Sequence, residues 1–182
     1  RNWGQADAGV ESLALRVASA GGTQSLDKVA FGKRLAALGS SIEAGTGRDW
    51  SSIEAKGLLG NFDRTFGLQA EVFLHPAMPA AEVELARAQA LINLKREEEQ
   101  PESRLAILVN DTLYKDQPYQ NRPQGTLASV AALTPAQLQA HLAKLRQGSR
   151  LLLVVVGDID PARVIAQVRT AFGSLPRGDY RD

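Results

Sequence analysis

Between Ser40 and Gly57 the sequence reads SSIEAGTGRDWSSIEAKG, and the helical spacing found on either side gives way to a rough alternation. Two short runs rich in Ser, Thr and Ile, separated by Gly47-Arg48, predict a pair of antiparallel strands at about Ser40–Gly45 and Trp50–Lys56. The other β signal is the continuous apolar run in RLLLVVVGD, which predicts a buried strand at Leu151–Val156 in the same sheet. Every other periodic stretch has the period of a helix. So little strand among so many amphipathic helices predicts an α+β fold, a small, mostly antiparallel or mixed β-sheet with helices packed mainly on one face.

The helices announce themselves by stripes and caps. Asp7 is a candidate N-cap, followed by Val10, Leu13, Ala14 and Val17 at i, i+3, i+4 and i+7, with Gly21-Gly22 as the stop. Ser25 is the candidate cap of a second helix that turns Leu26, Val29, Leu35 and Leu38 inward and closes at Gly39. Asn61 opens a third helix, through Phe62, Phe66, Leu68 and Val72, which ends at His75-Pro76. Pro79 precedes a long helix from about Ala80 to Glu99, and Pro101 starts another at Ala106–Leu113. Thr134-Pro135 and Asp160-Pro161 each read as an N-cap with proline at the first helical position. The polar segment YKDQPYQNRPQGT is the one long irregular loop, and its Tyr119 and Arg122 are candidate partner contacts.

Composition removes whole classes of function. Lys and Arg number 21 against 20 Asp and Glu, and this net charge of +1 offers no electrostatic footprint for nucleic acid or an anionic membrane. With no cysteine there is no disulfide, no thiolate zinc site and no Cys nucleophile, and any compartment is compatible. The longest apolar run, Leu151–Val156, is far too short to span a bilayer. The chain starts at Arg1 rather than Met and reads as a piece of something longer.

Self-contained chemistry is also missing. There is no Gly-x-Ser-x-Gly elbow, Walker A loop or Gly-x-Gly-x-x-Gly turn. Gly45-Thr46-Gly47 comes nearest to a dinucleotide turn, but it sits in the predicted hairpin, where a strand-end turn explains it. The two histidines, His75 and His141, are too far apart for a helical zinc pair, and His141 is expected to flank the apolar stripe of its helix. Glu97-Glu98-Glu99 reads as a charged helix end rather than a metal site.

Several stretches, in order along nearly the whole chain, resemble the pitrilysin/insulinase family of zinc peptidases. They are Gly9-Val10 with Gly22-Thr23, LAALGSSIEAGTGRDWSSIEAKGL, FGLQAEVFLHPAMPAAEVELARAQAL, PYQNRPQGTLASVAALTPAQLQAHL and LLLVVVGDIDPARVIAQVRTAFGSLP. Active members carry His-x-x-Glu-His on the first helix, where residues at i and i+4 bind zinc and the Glu activates a water. The matching positions here hold Ser12, Leu15 and Arg16. Ser12 is a poor zinc ligand, Leu15 takes no proton and Arg16 repels a dication. The family's third ligand, one of a Glu pair on the later long helix, aligns with Ala88 and Lys95; a two-residue shift would instead bring in Ala90 and Glu97. The Arg-Tyr pair with which sister halves hold substrate has no match.

The resemblance implies a pitrilysin-like α+β module over residues 1–176, with 177–182 a linker toward a following subdomain. It implies no catalytic and no metal residues in this chain, and no cofactor of its own, zinc being expected in a partner or sister half. The expected partners are that zinc-bearing half or subunit and a peptide substrate, with no nucleic acid and no membrane span. Peptide contact is expected at Ile42, Glu43 and Ala44, where family substrates add as a strand to the sheet edge. The implied role is a non-catalytic domain of a zinc-dependent peptidase, forming part of the peptide-binding chamber and the partner interface. The alternative is a family-derived scaffold or binding subunit with no proteolytic role.

Overall fold

The computed structural model describes Gly4 and residues 6–180. In chain order these form α1 (Val10–Ala20), α2 (Lys28–Leu38), β1 (Ser41–Thr46), β2 (Ser51–Lys56), α3 (Phe62–Leu74), α4 (Ala80–Glu99), α5 (Pro101–Leu113), α6 (Leu127–Ala132), α7 (Pro135–Leu145) and α8 (Pro161–Phe172). The fold is α+β. Among the described residues the sheet has two strands, β1 and β2, joined by a turn in which the Gly47 N–H donates to the Trp50 carbonyl at 2.9 Å.

The expected third strand is not there. Leu151–Val156 is without assigned strand or bridge, and its side chains lie open to solvent rather than in a core. Apolar character foretells burial against something, but a strand also needs a neighbour for its backbone, and the described residues supply none.

Local chemistry explains where the helices begin and stop. α1 follows Gly9, whose φ of +93° only glycine adopts without strain, and the Asp7 carbonyl, not its side chain, accepts from the Val10 N–H. The cap of α2 is Asp27 rather than Ser25: its carboxylate accepts from the Ala30 N–H at 2.8 Å. Ser25 instead donates to Glu71 of α3 at 2.5 Å. Phe31 and Leu38 are the buried positions of α2, while Val29, expected inward, lies in its first turn and is 64% exposed. Asn61 precedes α3, yet its amide donates to the Leu38 carbonyl instead of capping. α6 is too short for an apolar stripe to announce it, being a helix of six residues held by a capping box between Thr126 and Ser129.

The chain divides into two compact units. One comprises Arg1–Val17, Ala44–Ser52 and Met78–His141. In it α4 packs against α5 and α6, and the core gathers Val10, Leu13, Val83, Val130, Leu133 and Leu138, all at most 4% exposed. Arg87 of α4 donates to the Leu133 carbonyl at 2.6 Å, and the Ser129 hydroxyl donates to the Ala8 carbonyl at 2.8 Å. The proline loop is pinned to the hairpin turn. Arg48 donates to Asn110 at 2.6 Å and to the Tyr119 carbonyl, and the Tyr119 hydroxyl donates to Asp49. Tyr119, a candidate partner contact, is thus engaged within the unit.

The other unit comprises Ala18–Glu43, Ile53–Ala77 and Leu142–Asp182. There α3 packs on α2 and α8, with Phe172 edge-on to Phe66 and tilted against Phe73. Asp63 of α3 accepts from Arg163 and Gln167 of α8. Beyond α8, the Pro176 and Arg177 carbonyls accept from the Gly148 and Ser149 N–H groups, which ties the expected linker's first residue to the loop after α7.

Candidate functional site

Nearly every side of α1 is apolar where it meets the core: Val10, Leu13, Ala14, Leu15, Val17 and Ala18 are all at most 4% exposed. Leu15, at the position of the catalytic Glu in active relatives of the resemblance, is therefore a core residue. Ser12 and Arg16 lie one helical turn apart and share the remaining polar strip. That strip lines a cavity of about 130 Å³ whose other walls include Ala90, Asn93, Leu94 and Glu97 of α4, with Gln124 and Val130.

The cavity decides the register of α4. Ala90 and Glu97, two helical turns apart, face it, whereas Ala88 is exposed and Lys95 points to solvent with Glu99 at 3.9 Å. The pair opposite Ser12 and Arg16 is therefore Ala90 and Glu97, two residues beyond Ala88 and Lys95. Val83 and Leu94 are the buried positions of α4 and mark its inward face, on which Ala90 and Glu97 fall; the sequence hides this phase, because apolar Leu85 and Ile92 are exposed. Asn93 and Gln124 are the polar lining residues that no sequence signal singled out.

These side chains do not fit zinc. The cavity offers one carboxylate, a hydroxyl, two amides and a guanidinium, where a catalytic zinc takes three His or carboxylate ligands and is repelled by a fixed cation. Among the described residues no three His, Cys, Asp or Glu side chains come together as a metal site. His75 is exposed at the end of α3.

His141 does more than flank an apolar stripe. It is 4% exposed, and its Nε2 lies 2.8 Å from Glu11 Oε2, while Ser51 donates to Glu11 Oε1 at 2.5 Å. Burial alone raises the Glu11 carboxyl, but the hydrogen bonds from His141 and Ser51, aided by the His141 charge, outweigh it and hold the carboxyl below its ordinary value. The serine bonds the carboxylate and not the imidazole, so the nucleophile-to-base contact of a serine hydrolase is absent. The cluster anchors α1 to α7 and the hairpin.

At the expected peptide edge, Ile42 is buried, Glu43 is exposed and Ala44 is half-buried. β2 occupies one side of β1, and no strand occupies the other among the described residues.

Known proteins resemble this chain in the same sense. Residues 132–182 match the model of the peptidase M16 inactive domain. An uncharacterized zinc protease of Mycobacterium leprae (strain TN) is 29% identical over 143 residues, 78% of this chain and 32% of that protein. One of Mycobacterium bovis (strain ATCC BAA-935 / AF2122/97) is 28% identical over 157 residues, 86% of this chain and 36% of that protein. The crystal structure of a peptidase M16 inactive domain from Pseudomonas fluorescens superposes with a TM-score of 0.87 at 23% identity, covering 98% of this chain and 45% of its own. The chain thus spans about a third of the length of the curated relatives it matches. The fold, the family-model match over residues 132–182 and the zinc-protease relatives agree in likening this chain to the pitrilysin/insulinase family of zinc peptidases, and its sequence carries no His-x-x-Glu-His motif.

Proposed function

We propose that this module is the zinc-free half of a two-part peptidase, contributing a wall of the peptide chamber and an interface to a zinc-bearing half or subunit. The observation that carries this reading is the cavity lined by Ser12, Arg16, Ala90 and Glu97: the helices are kept, and the ligand set is not. Such a module has no hydrolytic step of its own. Its contribution to catalysis is to bind and orient a chain that another half cleaves, and positioning of this kind is worth orders of magnitude in rate. In this reading zinc resides in the partner.

The free side of β1 suits an extended peptide, whose backbone would add to the sheet next to Ile42, Glu43 and Ala44. Strand addition is indifferent to most side chains, but the exposed Glu43 carboxylate biases the edge against acidic peptides.

The test is a fluorogenic-peptide assay of a zinc-bearing family member from the same source, alone and with this protein added. The proposal expects a faster cleavage of an unfolded peptide and co-migration of the two proteins on size exclusion. An unchanged rate with no co-migration contradicts it and favours a scaffold subunit with no proteolytic role.

A further inference from the structure

Five polar side chains, Ser12, Arg16, Asn93, Glu97 and Gln124, line the cavity between α1, α4 and the segment that leads into α6. Ser12, Asn93 and Glu97 are half-buried, and Arg16 and Gln124 are exposed. Among the described residues, the side chains of Ser12, Glu97 and Gln124 make no hydrogen bond or ion pair. Asn93 accepts on its oxygen from Gln89 at 3.0 Å, which leaves its amide N–H groups to donate. Polar groups drawn away from solvent are ordinarily paired inside the fold. A set that converges on one cavity and bonds to nothing around it is equipped for a guest.

Size and charge restrict that guest. The cavity, about 130 Å³, is well below the roughly 300–1,000 Å³ of a site for a drug-sized molecule. A simple anion would suit Arg16 but face the Glu97 carboxylate, and a simple cation would suit Glu97 but face the guanidinium. A molecule that is neutral overall and carries both charges satisfies both walls. Arg16 has five N–H donors, enough to take a carboxylate beside its other contacts. The remaining lining includes Leu13, Leu94 and Val130, all buried, which present an apolar surface to a short aliphatic group.

We propose that this cavity binds a free α-amino acid with a small aliphatic side chain, its ammonium on Glu97 and its carboxylate on Arg16. Ser12, Asn93 and Gln124 supply further hydrogen bonds to the two charged groups. A peptide is the poorer occupant, because its amino and carboxyl groups stand at opposite ends of a chain too large for this volume. The inference rests on the cavity alone, and a module with no part in proteolysis would carry the same site.

Isothermal titration with L-alanine as the probe tests it. One molecule per chain is expected to bind saturably, with a Kd of about 1 mM or tighter. N-acetyl-L-alanine lacks the ammonium and L-alaninamide lacks the carboxylate, and each is expected to bind at least about tenfold more weakly. Glu97→Gln keeps the size of the side chain and is expected to weaken L-alanine binding about tenfold or more. Ala90→Leu keeps helix propensity, fills the cavity and is expected to abolish binding. The blocked probes are read on the native protein, so the test does not depend on either variant folding. No saturable binding of L-alanine overturns the proposal. So does a blocked probe that binds as tightly as L-alanine, or a folded Glu97→Gln variant with undiminished affinity.

Discussion

Glu11 Oε2 and His141 Nε2 meet at 2.8 Å, from side chains only 8 and 5% exposed and 130 residues apart in sequence. The contact joins the first helix of the chain to α7 and replaces solvent around a buried carboxylate with two specific donors, His141 and Ser51.

Removing one member strands the other. His141→Leu leaves the buried carboxylate with Ser51 alone and should cost about 3 kcal/mol or more, read as a lower urea midpoint. Adding Glu11→Leu to that variant should recover part of the loss, because two apolar groups of suitable size leave no uncompensated polar atom. A double variant as unstable as the sum of the singles would show that the pair is not coupled.

The same carboxyl makes stability depend on pH. Its folded pKa lies below the ordinary value of 4.5, so the stability it contributes is fully present above that value and is lost as pH falls through the folded one. Asp63, lowered by hydrogen bonds from Gln167 and Arg163, acts in the same direction from the surface. Thermal melts of the native protein and Glu11→Gln should therefore converge as the pH is taken below about 4.5. Parallel curves across that range would contradict the assignment.

Two glycines separate backbone necessity from helix propensity. Gly125 has φ +82°, and an added Cβ would stand 2.4 Å from the Ala8 carbonyl oxygen, so Gly125→Ala should cost about 2 kcal/mol or more. Gly32, inside α2 with nothing near its missing Cβ, should gain about 0.5–1 kcal/mol as alanine. Calorimetric melts of the two variants should move in opposite directions.

The hairpin and most helices were legible because each rests on local rules. Pro79, Pro101, Pro135 and Pro161 mark helix starts, and Gly39 ends α2 at φ +59°. What local rules miss is competition between near-equivalent groups. Ser25 and Asp27 both suit a cap, and Glu71 draws the serine away. The polar cluster of Glu11, Ser51 and His141 is assembled from three distant segments, so no spacing in the sequence announces it. The unpaired Leu151–Val156 shows the converse: strand chemistry is local, but a ladder needs a second chain segment.

We propose that the chain keeps the fold of a zinc peptidase module without its metal chemistry, Ser12 and Arg16 standing where zinc-binding histidines would be needed. Zinc per chain, measured by elemental analysis after dialysis against micromolar zinc, tests it on the native protein and on the variant Ser12→His/Arg16→His. The native protein should hold no stoichiometric zinc. The variant should hold about one ion, since histidines at i and i+4 would face the cavity with Glu97 as third ligand, and adding Glu97→Ala should release it. A native protein that retains about one tightly bound zinc per chain, or a folded variant that takes up none, would contradict the account.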